Sequence, residues 1–156
     1  MKTEPDIAVA RLLADYAHCL DSDDLERWPE FFRPDATYRI TTAANESRGL
    51  TIGYVEAEGR AMLEDRVLSL REANIYEPQR YRHILSIPRI VSSADGEIVA
   101  ETGFLVVRVT EAGDAMLFAA GQYNDRIVES DGRPLFAGKT VVLDSEKIDT
   151  LLAIPL

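Results

Sequence analysis

Ligands for a metal centre are scarce in this chain, which has one cysteine, Cys19, and two histidines, His18 and His83, among 156 residues. Cysteine-held zinc and iron–sulfur sites take two to four thiolates, and a mononuclear iron of the two-histidine, one-carboxylate type needs both histidines in one place. His18 and His83 fall on different predicted elements, so the sequence supports neither kind of site. A lone thiol also excludes an intrachain disulfide and a CxxC redox pair. Glycine motifs are missing as well: no GxGxxG follows a strand, no GxxxxGKS/T occurs and GxSxG is absent. Nucleotide binding and the serine-hydrolase elbow therefore have no support. Basic residues are few, with 17 Lys and Arg against 27 Asp and Glu for a net charge of −10. Phosphate-backbone binding relies on clustered cations, so nucleic acid is not an expected partner. No apolar run approaches the roughly 20 residues of a membrane span. The opening Met1-Lys2-Thr3-Glu4-Pro5-Asp6 also lacks the charged-then-apolar layout of a secretion signal. The expectation is a cytoplasmic protein with no membrane partner.

What is present is enough for one folded unit over 1–156, because 46% of the residues are apolar and the length suffices for a real core. From Asp6 to Leu20, Ile7, Val9, Ala10, Leu13, Ala14, Ala17 and Leu20 recur at three- and four-residue spacing and predict a helix, with His18 and Arg11 on its polar face. Asp21-Ser22-Asp23 offers N-cap oxygens for a second, shorter helix with Leu25, Trp28 and Phe32 on one face, interrupted at Pro29 and closed by Pro34. Ala36–Thr42 reads as a strand, Asn45–Gly49 as a loop and Glu56–Glu72 as a third helix.

Four β segments follow, at Arg80–Ser92, Glu97–Thr110, Ala115–Glu129 and Pro134–Leu143. They are joined by Asp95-Gly96, Ala112-Gly113-Asp114 and Asp131-Gly132, residues that accept the positive φ of tight hairpins. The prediction is a long, curved antiparallel meander, with Pro88, Gly103, Gly121 and Gly138 as bend points and three N-terminal helices packed on it, an α+β fold. Met116-Leu117-Phe118-Ala119-Ala120 and Phe104-Leu105-Val106-Val107 are apolar at every position rather than at alternate ones. Both faces of such a sheet should be covered, and since the helices reach only one, a partner subunit is the simplest cover for the other.

Two candidate sites stand out. Around the third helix and first long strand, Arg80, Arg82, His83 and Arg89 form a cationic strip beside Tyr76 and Tyr81. Arg and Tyr give large contact area at low entropy cost, so the strip reads as a docking surface; alternatively its arginines pair with Glu72 or Glu77 on a solvated edge. The second site is enzymatic. Tyr16, Asp35, Tyr38 and His83 could form an acid–base set for isomerisation or dehydration around a hydrophobic pocket, or each could serve local structure.

The residues also carry a resemblance. Tyr16-Ala17 with Leu20-Asp21-Ser22, the block from Trp28-Pro29-Glu30-Phe31-Phe32 through Asp35 to Tyr38-Arg39, Asp65-Arg66-Val67, Arg71 to Glu77, Arg80-Tyr81-Arg82-His83, and Leu143-Asp144-Ser145 with Pro155-Leu156 together resemble the small (β) subunit of Rieske-type aromatic-ring-hydroxylating dioxygenases. The likeness spans nearly the whole chain. It is nearest in appearance to the subunits for aromatic carboxylates, with terephthalate first and anthranilate and salicylate next. It implies a cone-shaped nuclear transport factor 2-like (cystatin-like) fold and a structural, non-catalytic role in an α3β3 oxygenase that converts the aromatic acid to a cis-dihydrodiol. In that reading the Rieske [2Fe-2S] cluster and the mononuclear Fe(II) belong to the partner α subunit, this chain holds no cofactor, and β subunits also contact one another. A stand-alone isomerase or dehydratase of the same superfamily, using Tyr16, Asp35 and His83, is the alternative.

Overall fold

The computed structural model describes residues 4–50, 53–73, 79–146 and 155–156. Helix α1, Pro5–Asp21, begins with its proline in the first turn, where the missing N–H would have no intrahelical acceptor in any case. Its buried stripe is Val9, Leu12, Leu13, Tyr16, Ala17, Cys19 and Leu20. Ile7, Ala10 and Ala14, predicted to face inward, are exposed, because the stripe is centred on the Tyr16 side of the helix.

The predicted second helix is only a 3-10 turn, Trp28–Phe31. Pro29 removes one backbone donor, and Phe32 is already extended, with φ −111° and ψ 147°. Strand β1 therefore starts early and runs Phe32–Thr42. Pro34 falls where the pairing of β1 with its neighbour shifts between Phe32 and Thr37, so its missing N–H interrupts no ladder bond. The expected loop after Thr42 holds a single-turn helix α2, Ala43–Ser47, capped by Thr42 Oγ1, which accepts from the Asn45 N–H at 3.2 Å. The predicted third helix divides in two. Gly59, at φ +86°, turns the chain between β2, Val55–Glu58, and α3, Arg60–Ala73.

The first predicted β segment also divides, into β3, Gln79–Leu85, and β4, Arg89–Ala94. Both pair antiparallel with the same long strand β5, Glu97–Thr110, one after the other. Between them Ser86 holds the edge: its N–H donates to the Gly103 carbonyl at 2.8 Å and its hydroxyl accepts from the Gly103 N–H at 2.9 Å. Strands β6, Ala115–Ser130, and β7, Arg133–Leu143, complete the meander. The Asp95-Gly96 and Asp131-Gly132 turns have positive φ at both residues, 56° and 78°, then 50° and 80°, which matches the right-handed twist of the strands they join.

The seven-stranded sheet has the order β2-β1-β7-β6-β5-β3, with β4 beside β5. It is mixed rather than wholly antiparallel, because β1 lies parallel to β7, with Tyr38 opposite Lys139 and Ile40 opposite Val141. Strands so far apart in sequence are not constrained by a hairpin to run in opposite directions. The β5–β6 register shifts at Val106 and Val107, where Phe118 of β6 is the extra residue, and the β6–β7 register shifts at Arg126 and Ile127, where Ala137 of β7 is. Gly121, predicted as a bend, instead permits close approach, since a Cβ there would lie 2.0 Å from the Val142 carbonyl oxygen. The core is aromatic-rich: Tyr16, Trp28, Phe32, Tyr38, Tyr123 and Phe136 are fully buried between the helices and the sheet's inner face.

Candidate functional site

The inner face brings two tyrosines from distant elements to one acceptor. Tyr16 on α1 donates to the main-chain oxygen of Leu156 at 2.7 Å, and Tyr38 on β1 donates to the same oxygen at 3.1 Å. The Tyr38 hydroxyl also accepts from the Leu156 N–H at 3.2 Å, and Trp28 Nε1 donates to the Tyr16 hydroxyl at 3.2 Å. Removal from water pushes the Tyr16, Tyr38 and Tyr123 phenols above their ordinary range.

A buried ion pair lies beside these rings. The β6–β7 register sets Lys139 opposite Asp125, and Lys139 Nζ donates to both carboxylate oxygens at 3.1 and 3.2 Å, with both side chains wholly inaccessible. The ammonium is 3.6 Å from the centroid of Tyr123 and 4.5 Å from those of Tyr16 and Phe136, a desolvated cation in an aromatic cage. Burial raises the Asp125 carboxyl and lowers the Lys139 ammonium from their ordinary values, while each partner's charge pulls the other back. Neither residue is among the site candidates drawn from the sequence. The signal was there: Asp125 alternates with the inward Tyr123 and Ile127, and Lys139 with Val141.

The proposed acid–base set does not assemble. Tyr16 and Tyr38 meet, but Asp35 points out of β1, 75% of its side chain exposed, and pairs with Arg33 at 3.2 Å. Strand alternation puts Ala36 and Tyr38 inside and Asp35 outside. His83 is buried with its Nδ1 2.6 Å from Asp21 Oδ1, and the Asp21 carboxylate also accepts the His83 backbone N–H at 3.0 Å. That histidine fastens the end of α1 to β3. A cleft of about 520 Å³ opens between α1, the 3-10 turn and the start of β7, and none of Tyr16, Asp35, Tyr38 or His83 lines it.

Nor do the residues fit an iron centre. Cys19 donates its thiol to the Asp24 carbonyl at 3.0 Å, and burial pushes it up to about 11, so it stays protonated. His18 stands on the exposed side of α1 near Ser22, 3.4 Å away, whereas His83 is inside with Asp21. Among the described residues no group of three or more His, Cys, Asp or Glu is arranged to hold a metal ion.

The cationic strip separates by parity along β3. Arg80, Arg82 and Ile84 stand opposite Val109, Val107 and Leu105 on the outer face, and Tyr81 and His83 stand opposite Arg108 and Val106 on the inner face. His83 therefore does not share the exposed strip. Tyr81 is half-buried, its ring 5.3 Å from that of Phe118. Arg89 lies farther along, on β4, 73% exposed and ion-paired with Glu101 across to β5. Tyr76 lies outside the described residues. The helices cover only the inner face, and the outer one leaves Leu117 65% and Ile84 52% exposed, with Leu105, Val107 and Val109 half-buried beside them.

Helices over one face of a curved mixed sheet, with an aromatic interior, define the class. The chain belongs to the SnoaL-like domain family of nuclear transport factor 2-like folds, whose model matches residues 3–137. Within it the chain falls with the β subunits of aromatic-ring dioxygenases. It is 44% identical over 151 residues to the terminal oxygenase component subunit beta 1 of a Comamonas terephthalate 1,2-dioxygenase, covering 97% of this chain and 98% of that one. It is 43% identical over 141 residues to the small subunit of anthranilate 1,2-dioxygenase from Burkholderia cepacia, covering 90% of this chain and 88% of the relative. Among solved structures, a chain assigned as the β subunit of an aromatic-ring-hydroxylating dioxygenase from Novosphingobium aromaticivorans superposes with a TM-score of 0.89 at 31% identity, covering 97% and 96% of the two chains.

Proposed function

We propose that this chain is the structural β subunit of a terminal oxygenase that dioxygenates an aromatic carboxylate of the terephthalate class to a cis-dihydrodiol in the cytoplasm. The observation that carries the reading is identity of 44% sustained over 97% of this chain and 98% of the terephthalate relative. The partner α subunit holds the Rieske [2Fe-2S] cluster and the mononuclear Fe(II), and receives electrons from NAD(P)H through a reductase. Three α and three β chains make the assembly, with β subunits also touching one another.

The geometry supports an assembly role in two ways. The inside of the cone is filled by the Lys139–Asp125 pair and the tyrosine network, and the candidate base Asp35 stands outside it. The outside of the sheet offers an apolar surface with arginines on it, as docking faces do. Arg80, Arg82 and Arg89, with Tyr76, are the contact residues of this reading. Tyr81 and His83 act from within, by holding β3 against Phe118 and Asp21.

The test is co-expression with the large oxygenase subunit encoded in the same genome, then assay with a reductase, NAD(P)H and O₂ on terephthalate, anthranilate and salicylate. Co-elution of the two chains in equal amounts, with turnover of an aromatic acid, supports the reading. A large subunit that retains none of this chain and is equally active alone overturns it.

A further inference from the structure

Leu156 lies in the interior as a ligand lies in its site. It is 1% exposed and belongs to the same core cluster as Tyr16, Trp28 and Tyr38. Its oxygen accepts from the Tyr16 and Tyr38 hydroxyls, and its N–H donates to the Tyr38 hydroxyl, so side chains meet both of its main-chain polar groups. The two phenols are set in place by other groups. Trp28 Nε1 donates to the Tyr16 hydroxyl, and the Tyr16 ring meets Phe31 and Phe136 edge-on at 5.7 and 5.4 Å. The Tyr38 ring meets Trp28 and Phe32 edge-on at 5.2 and 5.9 Å. These residues come from α1, the 3-10 turn, β1 and β7, none of which contains Leu156. Walls braced in this way relax only in part when what they enclose is removed. Apolar cavities of roughly 150 Å³ take up benzene-sized molecules.

The atoms that are met define the chemistry of the occupant. The Tyr38 hydroxyl touches the N–H and the carbonyl oxygen of a single residue, which matches an N–C–C=O unit, and the isobutyl group faces an aromatic-rich core. The surroundings are dry, and a charged group would lose its hydration there, so the matching compound is neutral. We infer that Tyr16 and Tyr38 form a binding site for an uncharged N-acylated amide of an apolar amino acid, and that the chain fills this site from within with its own Leu156. A tethered group competes at an effective concentration on the order of millimolar, so the seated Leu156 closes the site to free compounds of similar affinity. The site is inside the cone, and it stands whether or not the outer face of the sheet docks a large subunit.

The experiment opens the site in the full-length chain with Leu156→Lys, because a cation is expelled from an apolar interior and the Lys139 ammonium already lies 4.5 Å from the Tyr16 ring. Leu156→Gly, which removes the isobutyl group and adds no charge, is the second variant. N-acetyl-L-leucinamide is the probe, read by the fluorescence of Trp28, the one tryptophan of the sequence, and by thermal melting. Both variants should melt below wild type, and the probe at about 10 mM should raise their melting temperatures by about 3 °C or more and shift the Trp28 emission with saturation. Wild type should show neither response. Acetamide, which lacks the isobutyl group, should have no effect on any of the three chains. Tyr38→Phe added to Leu156→Lys removes one donor and one acceptor from the seat and should weaken the probe at least about fivefold. Variants on which the probe has no effect, whether they are folded or unfolded without it, overturn the inference. So does a wild-type response as large as theirs, or binding that Tyr38→Phe leaves unchanged.

Discussion

Lys139 has no hydration shell; its ammonium is met by the Asp125 carboxylate and three aromatic faces. Removing one partner strands the other. Lys139→Met should cost about 3–5 kcal/mol of stability, whereas Lys139→Met combined with Asp125→Leu should recover most of it, as read from urea unfolding of both variants. The tyrosines give a pH signature at the same scale. The phenols of Tyr16, Tyr38 and Tyr123 are raised in the folded state. Their neutral forms therefore contribute stability in full below the unfolded value of about 10, and this is lost as pH climbs through the raised native values. Absorbance at 295 nm near pH 11 should thus report fewer phenolates than the six tyrosines allow, and the remainder should appear only with unfolding. Among the sequence candidates, alternation decided each fate: Asp35 out, Tyr38 in, Arg82 out, His83 in. The composition of β3 is legible in the sequence, but the parity of the strand sets His83 on the face opposite to Arg80 and Arg82.

Elements were read well where one rule governed the segment. Helix α1 and strand β5 fall where apolar spacing placed them, and the Asp-Gly hairpins turn where predicted. The misses lie where a single residue overrode a pattern. Gly59 broke one apparent helix into a strand and a helix, Pro29 reduced another to a turn, and the Ser86–Pro88 break divided one strand into two. Close approach at β6–β7 is the strictest local demand. Gly121→Ala would drive a Cβ against the Val142 carbonyl, backbone that cannot step aside without parting the strands. It should destabilise by at least about 3 kcal/mol in a chemical-denaturation titration.

At the scale of the molecule, the two sheet faces have different fates. The inner face is sealed by helices, and Leu117 and Ile84 stand open on the outer one. In complex with the large oxygenase subunit, hydroxyl-radical footprinting should show both residues losing label, while Leu68, exposed on α3, stays labelled as in the free chain. Equal labelling of Leu117 in the two states would place the contact elsewhere.

Composition alone limited the thiolate- and imidazole-held metal sites open to the chain, because one thiol and two imidazoles are countable without a fold. Apolar period settled where α1 and the long strands lie, since helix and strand repeats are local properties of the chain. Tertiary structure alone decided the rest. Tyr16 reaches Leu156 across 140 positions, β1 runs parallel to β7, and Lys139 meets Asp125 inside an aromatic cage. Such contacts depend on register and strand order, and a period of two says which residues share a face without saying what that face will meet.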